Sequence, residues 1–241
     1  MIGLALHLWL WLQPSVPPAP SLAFDTYVTR GADPDATLPT VVILHGRDDA
    51  LHGLPRALRY SSRPLRVVVP WGPKLHRDGT HAWFRRFNGQ SRESVGAEVA
   101  DAAALVVALL GDLQSSGRVA GRPILVGYSQ GAAVALEVSV GAPESVGEVF
   151  ALSGHFAPSR VPTTLAEHAV SHVLVGENDK VMSSAVALAQ VQRMRTLGYE
   201  IQATRFPGQG HGVGPKMRRV ALRGIHAALR AQGRGDDAAK M

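Results

Sequence analysis

Five residues in the middle of the chain, Gly127-Tyr128-Ser129-Gln130-Gly131, have the types and spacing of an activated nucleophile. They sit between PILV, a short apolar run, and AAVALEVSV, an Ala-rich one, so Gly-x-Ser-x-Gly falls on a strand–turn–helix junction. A serine on so tight a turn is lifted clear of the sheet edge, and side chains at 127 or 131 would collide with the neighbouring strand and helix. The following helix aims its first N–H groups at the point where negative charge develops in acyl transfer. A serine hydroxyl is a poor nucleophile near neutral pH. It needs a base within hydrogen-bond reach, and the base needs an acid to orient it.

Both partners occur downstream, in the order Ser, Asp, His. Gly176-Glu177-Asn178-Asp179 follows the apolar run HVLV. Asp179 is preferred over Glu177 because it lies further from the strand end and can turn back toward a histidine. Among the chain's ten histidines, His211 is the candidate base. It lies in Gly208-Gln209-Gly210-His211-Gly212, after the run ending at Phe206 and after the acid. His155, following Leu152-Ser153-Gly154 at another strand end, is the rival base. Acyl transfer also needs two N–H donors for the oxyanion. The backbone N–H of Gln130 is one, and that of Arg47, after Leu44-His45-Gly46, is the other. His45 reads as structural, holding the oxyanion loop. The aromatic cluster His81 to Phe87 contains Trp83 and Phe84. These residues either anchor a long loop or, with Met182, wall a substrate pocket.

The elements that must position these groups follow from the hydrophobic pattern. Strands are expected at 24–29, 40–44, 65–69, 123–127, 148–152, 172–175 and 201–206. Helices are expected at 95–113, 132–140, 183–197 and 216–230. The β-branched run TVVIL suits a strand covered on both faces. Strands separated by helices imply an α/β fold, a doubly wound, mostly parallel sheet with helices on both sides. Reactive groups of such sheets gather at the carboxyl ends of the strands, where every candidate above falls.

The chain has 241 residues, 46% of them hydrophobic and 18% charged, which excludes a disordered chain or a coiled coil. It has no cysteine, so disulfides, thiolate metal sites and a cysteine nucleophile are excluded. No metal-ligand set is read from the sequence. The net charge is +6, from 25 basic and 19 acidic residues. The basic residues are scattered, mostly arginines, with no run of five, so nucleic acid is not an expected partner. Met1 to Leu12 is apolar but far shorter than the ~18–20 residues that cross a bilayer, so no integral membrane span is expected. Followed by a Pro-rich stretch and Ser21-Leu22-Ala23, it fits a secretory signal lacking an early Lys or Arg. Residues 1–23 are thus read as a signal peptide or disordered segment, 24–231 as the domain and 232–241 as a frayed tail. The balance favours an exported protein, periplasmic or secreted, over a cytoplasmic one.

Taken in order, the motifs resemble those of the phospholipase/carboxylesterase family of α/β-hydrolases, which includes acyl-protein thioesterases. The resemblance runs over roughly residues 38–230. It rests on Leu44-His45-Gly46 with Asp48-Asp49, Trp83-Phe84, Gly127 to Ala132, Leu152-Ser153-Gly154, Gly176 to Val181 and Gly210-His211-Gly212. It implies the α/β-hydrolase fold and hydrolysis of small-molecule or lipid carboxylic esters, or thioesters, through an acyl-enzyme without a cofactor. A serine peptidase and a non-catalytic binding protein on the same fold are the alternative readings. Acyl chain length, alcohol or thiol partner and oligomeric state are not encoded legibly.

Overall fold

The computed structural model describes residues 21–47, 51, 53–75, 78–85 and 90–238. The expected signal segment falls mostly on residues 1–20 and so lies outside the described residues. Leu22 is buried in the core, and the Ala23 carbonyl accepts the Trp71 N–H at 2.8 Å.

Among the described residues, nine strands and five α-helices follow one another: β1 Phe24–Val28, β2 Leu38–Leu44, α1 Leu54–Arg59, β3 Arg66–Pro70, β4 Lys74–Leu75, β5 His81–Ala82, α2 Arg92–Ser115, β6 Val119–Tyr128, α3 Gln130–Gly141, β7 Glu148–Leu152, β8 Val170–Gly176, α4 Ser184–Thr196, β9 Ile201–Phe206 and α5 Pro215–Ala238. Seven strands form one sheet in the order β1-β3-β2-β6-β7-β8-β9, and β4 with β5 forms a separate two-stranded hairpin. Only β1 runs antiparallel in the large sheet, at its edge against β3. The chain leaves β2 for β3 on one side and returns through β6, β7, β8 and β9 on the other. The sheet therefore has its topological switch point between β2 and β6, where open α/β sheets leave a crevice for ligands.

The central strands are apolar on both faces because both faces are covered. On one, α1 contributes Leu54 and Leu58 and α5 contributes Met217, Ala221, Ile225 and Ala228, packed against Ile43, Val67, Val126 and Phe150. The four α5 residues recur at helical spacing and make a single apolar stripe. Burying Met217 and Ile225 stabilises the fold by about 1.5–3 kcal/mol each. On the other face α2 and α3 cover Val42, Leu44, Val68 and Leu125, and α4 covers Val173 and Val175 with Ala187, Val191 and Met194. α3 is buried over ten of its twelve residues, as its all-round apolar sequence demands. α2 is long and apolar enough to cross a membrane by length and composition. Here it is capped by Ser91, whose side chain accepts the Ser94 N–H, and it buries Val95, Val99, Val106 and Leu110 against the domain.

Two element ends differ from the sequence expectation by four residues or more. β6 starts at Val119 rather than 123, because Val119 and Ala120 pair with Leu38 and Pro39 of β2; a register shift takes up Gly121-Arg122-Pro123, where the Arg122 N–H donates to Gln232 Oε1 at 3.1 Å. That bond docks the C-terminal helix on the sheet, and α5 runs on to Ala238 where a frayed tail was expected from 232. Helix α1 and the β4–β5 hairpin fall where only loop was read.

Candidate active site

The turn between β6 and α3 puts Ser129 at φ 52°, ψ −111°, a strained conformation for a non-glycine. It is fixed from several sides. The Ser129 N–H donates to Leu152 O at 3.0 Å, tying the turn to β7. A Cβ at Gly127 would lie 2.2 Å from the Gly131 carbonyl oxygen, and one at Gly131 would lie 2.4 Å from that of Leu44. Both obstacles are backbone, so neither can swing away. Gly131→Ala is therefore expected to destabilise the protein by about 3 kcal/mol, the upper range for overpacking. Urea unfolding measures this, and a midpoint equal to wild type would contradict the close packing of α3 on β2.

Ser129 is 8% exposed, and its Oγ–H donates to His211 Nε2 at 3.1 Å. The other ring nitrogen, Nδ1, bonds Asp179 Oδ2 at 2.8 Å. A carboxylate only accepts, so Nδ1 carries the proton and Nε2 is left with a lone pair facing the serine. The second Asp179 oxygen, Oδ1, accepts the N–H groups of Val181 (2.9 Å) and Met182 (2.8 Å). The Asp179 side chain is fully buried and His211 keeps 20% of its side chain exposed. The arrangement can move a proton from the Ser129 hydroxyl to the imidazole while the carboxylate steadies the resulting cation.

Two loops must be held together for that geometry to exist, and the β8–β9 pairing continues beyond the strand ends to do so. Glu177 N–H donates to Phe206 O (3.0 Å) and Asn178 N–H to Gln209 O (2.8 Å). Glu177, the rival acid, is used differently. One of its oxygens pairs with Arg205 at 2.7 Å and the other accepts the Gly208 N–H at 3.1 Å, so it braces the histidine loop and does not touch the imidazole. Gly176 lets the loops close, since a Cβ there would stand 2.4 Å from Gly210 O.

The remaining candidates divide. The Gln130 side chain is spent on the neighbouring loop, its Oε1 accepting the Trp83 N–H (3.2 Å) and its Nε2 donating to Phe84 O (3.0 Å). The Gln130 backbone N–H belongs to the first turn of α3, where helices leave N–H groups without an intrahelical acceptor. Trp83 and Phe84 are 0% and 1% exposed, which corrects the expectation that they wall a pocket. They anchor the loop in the core instead, with Trp83 Nε1–H on His45 O at 2.8 Å. An apolar residue in a loop reads the same in sequence whether it faces a cavity or the core. Met182 is nearly buried as well, and its contact with the site is the N–H on Asp179. His45 is buried and accepts the Gly72 N–H on Nε2 at 2.9 Å, so its Nδ1–H donates to Gly46 O. It holds the loop that carries Arg47, as its sequence position suggested. A Cβ on Gly46 would come within 2.6 Å of the Tyr128 ring and 3.4 Å of Ser129 Cβ. This loop therefore lies directly against the nucleophile turn, with partly buried Arg47 following. Burial, then the Asp179 charge, push the Tyr128 phenol up to about 12, so it stays neutral beside the His211 ring, 5.3 Å between centroids.

His155, the rival base, directs Nδ1–H to Phe156 O at 2.8 Å, and the bond to Ser129 is made by His211. Burial pushes the His155 imidazole down from its ordinary 6.5, against smaller upward pulls from the Phe156 bond and the Asp179 charge. The unfolded chain thus takes up a proton there at higher pH than the folded one. The stability linked to this group is complete above about pH 6.5 and is lost as pH falls through the interval below it. His155→Asn is expected to flatten the fall in melting temperature between about pH 7 and pH 5. An unchanged slope would contradict the burial of a neutral imidazole.

Comparison with known proteins gives the family and the fold. The sequence pattern of a family described as Phospholipase/Carboxylesterase matches residues 26–226. Acyl-protein thioesterase 1 of Gibberella zeae is 24% identical over 215 residues, 80% of this chain and 90% of that protein. The crystal structure of esterase PE8 superposes with a TM-score of 0.71 at 23% identity, covering 85% of this chain and 99% of that one. The Bacillus cereus carboxylesterase does so with a TM-score of 0.67 at 20% identity, covering 85% and 94%. At these identities the two structures establish the fold, an α/β-hydrolase.

Proposed function

The chain belongs to the phospholipase/carboxylesterase family and is an ester-hydrolysing enzyme, and we propose that it works as a serine hydrolase through an acyl-enzyme on Ser129. His211 takes the hydroxyl proton as Ser129 Oγ attacks the acyl carbonyl. Asp179 keeps the imidazole in the right tautomer and stabilises its cation. The backbone N–H groups of Gln130 and Arg47 receive the oxyanion. His211 then gives the proton to the departing alcohol or thiol, and water repeats the sequence to release the acid. The observation that carries this reading is the unbroken chain of two hydrogen bonds, Ser129 Oγ to His211 Nε2 and His211 Nδ1 to Asp179 Oδ2. Small-molecule or lipid esters are the substrates in view, with thioesters included because the same attack serves both.

The test is a panel of p-nitrophenyl esters and S-acyl thioesters graded by acyl length, run on the purified protein. Turnover of at least one member of the series is expected. Absence of turnover on every member, with no acylation of Ser129, would favour a binding protein on this fold. The apolar segment 1–12 ahead of Ser21-Leu22-Ala23 supports export. The mass of the mature chain from its own host tests that, and retention of Met1 contradicts it.

A further inference from the structure

Among the described residues, only Ser129 and Ser153 are non-glycines with a left-handed backbone, Ser153 at φ 47°. Glycine adopts that conformation freely and serine does not, so a serine there needs a reason in its side chain. Ser153 is fully buried, and its hydroxyl donates to Gly212 O at 2.9 Å. Gly212 immediately follows His211. The same carbonyl accepts Gln209 Nε2 at 3.0 Å, so two side chains hold one peptide group. His211 lies between Gly210 and Gly212, the latter at φ 139°, in a stretch where no neighbouring side chain limits the backbone. Leu152 and Ser153, at the end of β7, meanwhile reach all three parts of the site. Leu152 O accepts the Ser129 N–H (3.0 Å), the Ser153 N–H donates to Leu174 O on the acid-bearing strand (2.8 Å), and the Ser153 hydroxyl reaches the base loop.

We propose that Ser153 is a positioning residue for His211, acting with Gln209 through the Gly212 carbonyl to keep the imidazole in line between Asp179 and Ser129. This rests on the reading of Ser129, His211 and Asp179 as the reacting unit. Ser153 touches neither the reacting atoms nor the bonds of the triad. Its effect is on the turnover of each folded site, with substrate binding untouched.

Ser153→Gly separates this role from a structural one, because it removes the donor and relieves the backbone strain together. The expected result is a melting temperature close to wild type and an unchanged KM. The turnover per site, counted by fluorophosphonate titration, falls roughly tenfold. A misplacement of about 1 Å costs about 10²-fold, and Gln209 still holds the carbonyl in this variant. Adding Gln209→Leu extends the loss to about 10²-fold. Ser153→Ala, which loses the donor and keeps the strain, should show the same turnover loss with lower stability. Wild-type turnover per titrated site in Ser153→Gly overturns the proposal, as does a loss explained entirely by fewer titratable sites. Ser129→Ala run in parallel distinguishes the two levels. If it is inactive while Ser153→Gly turns over normally, the positioning role fails and the triad stands. If Ser129→Ala itself keeps full turnover, the underlying reading fails.

Discussion

Ser129→Ala is expected to lower kcat by about 10⁶-fold, and His211→Ala by nearly as much, the scale on which a nucleophile and its base fail when they act as a unit. The two residues share one proton, carried over the 3.1 Å between Ser129 Oγ and His211 Nε2. Without the imidazole the hydroxyl keeps its proton, and without the hydroxyl the imidazole has nothing to activate. The double variant should therefore be no worse than either single one. The remaining rate over water comes from oxyanion donors and from substrate binding, which neither substitution removes. Steady-state hydrolysis of a short p-nitrophenyl ester measures all three. Losses that multiply in the double variant would mean that the two side chains act independently.

Asp179→Asn should lower kcat by about 10⁴-fold, the cost of holding a catalytic imidazole in the wrong tautomer. The surroundings of Asp179 determine which way the new amide points. The N–H groups of Val181 and Met182, at 2.9 and 2.8 Å, require an acceptor at the Oδ1 position. The amide oxygen takes that place and the NH₂ group faces His211 Nδ1. A donor there forces Nδ1 to accept, and the ring proton moves to Nε2, where it blocks proton transfer from Ser129. The fold should survive, because the shape and the two buried N–H bonds are kept. Glu177→Gln is the contrasting variant. Glu177 faces Arg205 and the Gly208 N–H, so its loss should cost a few-fold through a looser histidine loop, in line with the modest energies of partly exposed ion pairs. Comparable losses in the two variants would contradict the assignment of Asp179.

The sequence made the centre of the fold readable because β2, β3 and β6 are covered on both faces, and such strands are written as uninterrupted apolar runs. The three residues of the candidate site, Ser129, His211 and Asp179, were proposed from the sequence for a related reason, and the structure joins them by hydrogen bonds. Each of them follows a strand, and in a parallel sheet all those strand ends lie on one edge. The elements that escaped are those whose signal is too short or is supplied from elsewhere. Helix α1 spans six residues, with room for Leu54 and Leu58 and nothing that would fix a period. The start of β6 looks broken by Gly121 and Pro123, but a register shift against β2 takes up these residues and Val119 and Ala120 still pair with Leu38 and Pro39. Trp83 and Phe84 carried the right chemistry for a pocket wall, and only burial assigns them to the core. Ser153 stood in a motif already noted, Leu-Ser-Gly. Its left-handed backbone and its bond to Gly212 are properties of three-dimensional packing, invisible to spacing. The choice of Asp179 over Glu177 came out of the sequence by distance from the strand end. The structure supplies the physical cause, since the continued β8–β9 pairing keeps Glu177 against the strand while Asp179 turns inward.

The most direct measurement of the central claim is the mapping of a covalent adduct. The protein is treated with a fluorophosphonate, digested, and its modified peptide sequenced by mass spectrometry. One adduct per chain is expected, on Ser129, formed rapidly in the wild type, very slowly in His211→Ala and at no position in Ser129→Ala. An adduct on a different serine, or labelling of Ser129 that is indifferent to the loss of His211, would contradict that claim.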